Sequence, residues 1–135
     1  MSDEARSDDP FDAHHQLQAA MIDAYEASLL GGTGRQLAAD TLGHLVDFTA
    51  VHFLEEERHM ARLAYPQLEP HRAAHVRLLE QLRALEAAAA AADAGVALAE
   101  VPRLRDWLAQ HVSSMDRDLA SWSAAQRPRG SPRPP

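Results

Sequence analysis

The chain has 135 residues, 46% of them hydrophobic and 24% charged, with no cysteine and a formal net charge of −7. That length suits one small soluble domain with a single core. Without thiols there are no disulfides or thiolate metal sites, so any metal must sit on nitrogen and oxygen. The acidic balance argues against nucleic acid as a partner, because phosphate binding needs a cationic face. The feature that stands out is eight histidines in so short a chain.

Residues 1–10, MSDEARSDDP, read as an acidic lead-in with no apolar run resembling a signal peptide. No later stretch is apolar for long enough to span a bilayer, so no membrane role is expected and the cytoplasm is the default location. Residues 11–126 read as one helical unit. Period-2 alternation is absent, and alanine, leucine, glutamate and arginine dominate. A first helix runs from about residue 12 to 30 and stops at Gly31-Gly32-Thr33-Gly34. A second spans about 35–63 and ends near Tyr65-Pro66. A third begins near Leu68, continues through the alanine tract and stops about Asp93-Ala94-Gly95. A fourth starts around Glu100-Val101-Pro102, where proline is tolerated in the first turn, and reaches about Ala124. Four helices with short connectors predict an all-α, up-down-up-down antiparallel four-helix bundle. Residues 127–135, RPRGSPRPP, cannot be helical; they read as a flexible tail and a candidate contact for a protein partner.

The histidines fall at helical spacings. His52 and Glu56 are four apart and share a face of the second helix; His71 and His75 repeat the spacing in the third. Each pair alone reads most simply as a surface contact. Two such pairs can converge in a bundle interior, where cofactor sites are built from facing helices. In the fourth helix, Trp107-Leu108 precedes His111, and Asp116 follows. His111 and Asp116 are five apart, about 140° around an ideal helix, so sharing one site requires a local distortion such as a π-bulge. Imidazole with carboxylate suits iron, zinc or copper, and carboxylates can bridge two ions. Mononuclear zinc needs only three or four donors and would leave several buried polar groups unpartnered.

The ordered motifs Asp12-Ala13-His14-His15, His52-Phe53-Leu54-Glu55-Glu56-Glu57-Arg58-His59-Met60, Tyr65-Pro66 through His71 to His75, and Trp107-Leu108 through His111 to Asp116 resemble the hemerythrin family, in its single-domain bacterial form. The resemblance implies two iron ions with a bridging oxo or hydroxo group in the bundle core, and reversible dioxygen binding as carrier, store or sensor. By motif position His71, His75 and His111 would hold one iron and His15 and His52 the other. Glu56 and Asp116 would bridge both. Phe53, Trp107, Leu108 and Val112 fall where the family places its apolar oxygen pocket; plain bundle core explains each of them equally well. The first-helix ligand has an alternative, because His14 also lies on an apolar face with Leu17 and Met21. His15 is favoured, with His14 beside the site. His59 is expected on the outer face and His44 as structural or exposed, and no second Glu-x-x-His motif supports a ferritin-like di-iron site. The resemblance implies a binding protein and not an enzyme. The alternatives on the same site are a di-iron oxidase or peroxidase and a nitric oxide or iron-handling protein.

Overall fold

The computed structural model describes residues 11–31, 35–91 and 93–126, and among them every regular element is helical. The lead-in at 1–10 and the tail at 127–135 lie outside the described residues. Helix α1 (Asp12–Leu30) ends at the glycine-rich break, and α2 (Arg35–Arg62) begins just beyond it. Helix α3 (Leu68–Ala91) follows the Tyr65-Pro66 corner. These bounds match the expected ones to within a residue or so.

The α2–α3 corner closes on backbone hydrogen bonds from Tyr65 N–H to the Met60 carbonyl (2.9 Å) and from Ala64 N–H to that of Ala61 (3.2 Å). This pair is a Schellman ending, which places its penultimate residue in the left-handed region where glycine is the usual occupant. Here the residue is Ala64, at φ 54°. A methyl group there is strained, so Ala64→Gly is expected to stabilise the fold by about 1 kcal/mol. A urea midpoint that falls or stays put would contradict this.

One element departs from expectation. Residues 94–99, read as connector, form the short helix α4 (Ala94–Ala99). Asp93 does stop α3, but its carboxylate also accepts a hydrogen bond from Val96 N–H (2.9 Å) and so starts the next helix. The fourth long rod is composite. Helix α5 (Val101–His111) has proline in its first turn, then passes through a π-helical turn at Val112–Asp116 into α6 (Arg117–Ala125). The wide turn disturbs the ordinary i→i−4 ladder, and the hydroxyls of Ser114 (2.6 Å) and Ser113 (3.3 Å) donate to the Gln110 carbonyl there.

Side-chain pairs show neighbouring rods running antiparallel. Gln18 on α1 meets Thr49 on α2, Glu57 on α2 meets His75 on α3, and Arg105 on α5 binds Asp23 and Glu26 on α1. The apolar core divides into two blocks. The larger holds Ile22, Tyr25, Leu42, Leu45, Leu82, Val101, Leu104 and Leu108. The smaller holds Met60, Tyr65 and Leu119, with Leu68 and Trp122 packed on it. Along α2, α3 and the composite fourth rod, the polar residues of the site fall between these two blocks; on α1, His15 precedes the residues of the larger block.

Candidate metal centre

Each rod contributes donors from its middle or one end: His15 from α1, His52 and Glu56 from α2, His71 and His75 from α3, His111 from α5 and Asp116 from the π turn. All but His15 are 6% exposed or less, and the His15 side chain is 8% exposed. The π turn resolves the awkward spacing. A turn that bonds i to i+5 stacks residues five apart, so Asp116 comes round to the His111 face and lies 3.0 Å from its Nε2.

Five imidazoles bring Nε2 toward two carboxylates, and the carboxylates divide their oxygens. Glu56 Oε1 lies 3.1 Å from His71 and 2.9 Å from His75, while Glu56 Oε2 lies 3.9 Å from His52. Asp116 Oδ1 lies 2.9 Å from His71 and 3.0 Å from His111, while Asp116 Oδ2 lies 3.0 Å from His15. The result is two overlapping donor groups: Glu56, His71, His75, His111 and Asp116 on one side; His15, His52, Glu56 and Asp116 on the other. Within each group the donor atoms lie within 4.8 Å of one another.

The donor atoms satisfy one another only in part: His71 Nε2 bonds Asp116 Oδ1 at 2.9 Å and His75 Nε2 bonds His111 Nε2 at 3.1 Å. Neither Glu56 oxygen finds hydrogen-bond geometry with any described residue, despite the short approaches of His71 and His75. His52 Nε2 and Asp116 Oδ2 are likewise buried without such a bond among the described residues. An unsatisfied buried polar group is costly. Four such atoms within a cluster of seven nitrogen- and oxygen-bearing side chains fit a centre of divalent or trivalent cations bound through imidazole and carboxylate.

Electrostatics follow the same geometry. Burial opposes charge on Asp116, but the imidazoles of His111, His15 and His71 overcome it and hold the carboxyl well below the usual range. Burial also works against Glu56, which His71 and His75 nonetheless pull down. For His71, burial disfavours the cation, yet Asp116 and Glu56 outweigh it and raise the pKa to about 9. For His52 burial prevails over the attraction of Glu56 and lowers the pKa to about 4.

Around these seven lie residues whose contacts the sequence did not reveal. Glu57 Oε2 is 2.8 Å from His75 Nδ1, and His14 Nδ1 is 3.0 Å from His52 Nδ1. Glu57 is adjacent to Glu56 in sequence, but nothing in the motif says which imidazole it reaches. His14 and His15 both turn toward the site: His15 brings Nε2 to Asp116, and His14 stands behind His52. His59 is not on the outer face as expected; it is partly buried, its ring centroid 5.4 Å from that of Phe11. His44 is exposed. Of the four residues expected around the pocket, Phe53 lies against the site, stacked on His75 with centroids 3.8 Å apart and 4° between planes. Leu108 belongs to the larger apolar block, Trp107 packs on that block, and Val112 is half-buried. A groove of about 560 Å³ lies elsewhere, near the start of α2, among Tyr25, Ala39, Glu86 and Ala97; none of the expected site residues lines it.

A bundle with this double donor set defines a class of cation-binding helical proteins, and comparison with known families agrees. Residues 7–123 match the family described as Hemerythrin HHE cation binding domain. The chain belongs to the hemerythrin family. It is 33% identical over 121 residues to the bacteriohemerythrin of Ralstonia nicotianae, covering 87% of this chain and 82% of that protein. It is 34% identical over 79 residues to the myohemerythrin of Sipunculus nudus, covering 58% of this chain and 60% of that one. With the bacteriohemerythrin of Methylococcus capsulatus it shares 31% over 84 residues, 62% of this chain and 60% of the other. No solved structure matches the chain.

Proposed function

We propose that the chain binds dioxygen reversibly at a non-haem di-iron centre, as a binding protein and not an enzyme. Membership of the hemerythrin family supports the cofactor and the activity. The observation that carries the reading is the division of each carboxylate's oxygens between a three-histidine and a two-histidine group. In this reading His71, His75 and His111 hold one iron, His15 and His52 hold the other, and Glu56 and Asp116 bridge them. The two-histidine group has one donor fewer, four against five, so a metal held there would be the one with room for dioxygen. When bound, two ferrous ions supply one electron each for the exchange with dioxygen.

The protein's own part is to orient the donors and keep water away. Outer hydrogen bonds to Nδ1 of His52 and His75 leave Nε2 as the inward atom. Phe53 and Leu108 are assigned to the apolar shield, with Trp107 and Val112 behind them. No helix among the described residues is long and apolar enough to cross a membrane. The same proposal places the protein in the cytoplasm and gives the segment at 127–135 a contact with a protein partner, on its arginine- and proline-rich composition.

The test is to count iron and record the optical spectrum of the purified chain, reduced and then re-oxygenated. Two irons per chain are expected, with ferric charge-transfer bands that bleach on reduction and a distinct spectrum that returns with oxygen. One zinc and no visible bands would sink the reading; steady turnover of added peroxide would move it to the oxidase or peroxidase alternative.

Metal uptake should also depend on pH in a definite direction. His71 is raised to about 9 and carries a proton at neutrality, whereas His52, at about 4, does not. A metal must displace the His71 proton, so affinity should rise roughly tenfold per pH unit up to about pH 9 and then level. Competition titrations with zinc between pH 7 and 10 measure this, and a flat profile from 7 to 9 contradicts it.

A further inference from the structure

We propose that His14 is the positioning residue of the two-histidine metal position, acting as the hydrogen-bond acceptor that fixes His52. The proposal rests on the reading of the seven buried side chains as a two-metal centre. His52 is 1% exposed and brings Nε2 inward toward Glu56, while its Nδ1 meets His14 Nδ1 at 3.0 Å. Two imidazole nitrogens at that distance need one hydrogen between them. For His52 Nε2 to present a lone pair to a metal, its Nδ1 must carry the hydrogen and donate it. His14 Nδ1 therefore accepts, and its own hydrogen sits on Nε2.

The surroundings hold His14 in that role. Its ring is tilted against Phe11, with centroids 5.6 Å apart, and lies edge-on to Phe48 at 5.7 Å. It stands at 81° to His52, with centroids 5.1 Å apart. Contacts with these two aromatic rings limit rotation of the imidazole and favour the Nδ1 contact.

The contrast with the other side of the centre gives the consequence. There His75 Nδ1 is backed by the Glu57 carboxylate at 2.8 Å. A hydrogen bond to a charged acceptor is about twice as strong as one between neutral groups, and outer partners raise the basicity of a ligating imidazole. The two positions therefore differ twice over, in donor number and in the group behind a key imidazole. The three-histidine position fills first, and the second metal depends on His14.

Anaerobic titration of the full chain with cobalt(II), followed by its visible absorption, resolves the two equivalents. The native chain should take up two, the second more weakly. His14→Leu and His14→Ala should weaken the second equivalent about 10- to 100-fold and leave the first unchanged. His14→Gln, whose side-chain carbonyl can accept the same hydrogen, should restore it. In nitrogen-15 NMR of the zinc-loaded protein, the His52 Nδ1–H signal should persist in the native and Gln forms and vanish in the apolar ones. Unchanged uptake of both equivalents by the apolar variants, with two in the native chain, overturns the role of His14 alone. Loss of both equivalents without rescue by Gln overturns it too, as a general structural effect. Fewer than two equivalents in the native chain overturns the two-metal reading and this proposal together.

Discussion

Glu56→Ala is expected to abolish the two-metal centre, lowering retained iron from two per chain to one or none and erasing the bridged ferric spectrum. Its two oxygens face different histidine groups, so the methyl side chain removes a donor from both positions at once. Loss of an outer-shell partner costs about 10- to 100-fold in metal affinity, and loss of a shared ligand should exceed the upper end of that range. Glu57→Ala is the informative control. Of the candidate ligands Glu57 contacts His75, through Nδ1, and its other oxygen lies 3.6 Å from Arg72 Nε, so its removal should stay within that 10- to 100-fold range and leave two irons bound when metal is in excess. Metal analysis after dialysis separates the two. Two tightly held irons in Glu56→Ala would refute the bridging assignment.

Phe53→Ala should be the most damaging apolar substitution near the site. Phe53 is 2% exposed, stacks on His75, and tilts against His52 and His111 at centroid distances of 5.8 and 5.6 Å. Truncating a buried phenylalanine costs about 3–5 kcal/mol, a large share of the roughly 5–15 kcal/mol by which domains are stable. For a chain of this size the metal-free melting temperature should fall by about 10–20 °C. The cavity would also open a space beside His75 for water, so the oxygenated form should decay faster than native. Phe53→Leu fills most of the volume and should cost about 1–2 kcal/mol. Thermal melts and the decay of the oxygenated spectrum read both effects; an unaltered melt in Phe53→Ala would show that the ring carries no packing load.

The long helices are legible because their stops are chemical: glycines after Leu30 and Tyr65-Pro66 after α2. The spacing of His52 to Glu56 and of His71 to His75 is legible because a helix puts such residues on one face. The five-residue step from His111 to Asp116 is informative because it violates that rule, and the π turn is the physical answer. What sequence spacing leaves unread depends on contacts between helices. Asp93 looks like a terminator and serves also as the cap of α4. Glu57 and His14 act through nitrogens of residues 18 and 38 positions away, a relation that no local period encodes. His59 looks like a surface substitution until α1 brings Phe11 against it. Ala64 gives no hint of its left-handed backbone, because glycine is the residue that usually advertises one.

The burial of the donors also bears on how the centre is filled and emptied. Six of the seven candidate ligands are buried, and the His15 side chain is 8% exposed. Glu56 and Asp116 are 1% and 2% exposed, so an ion's approach to them from solvent is expected to need a movement of the surrounding rods. Loading and loss are then expected to follow the rate at which the bundle opens more closely than the affinity of the closed site, which metal-exchange rates measured against amide hydrogen exchange would check.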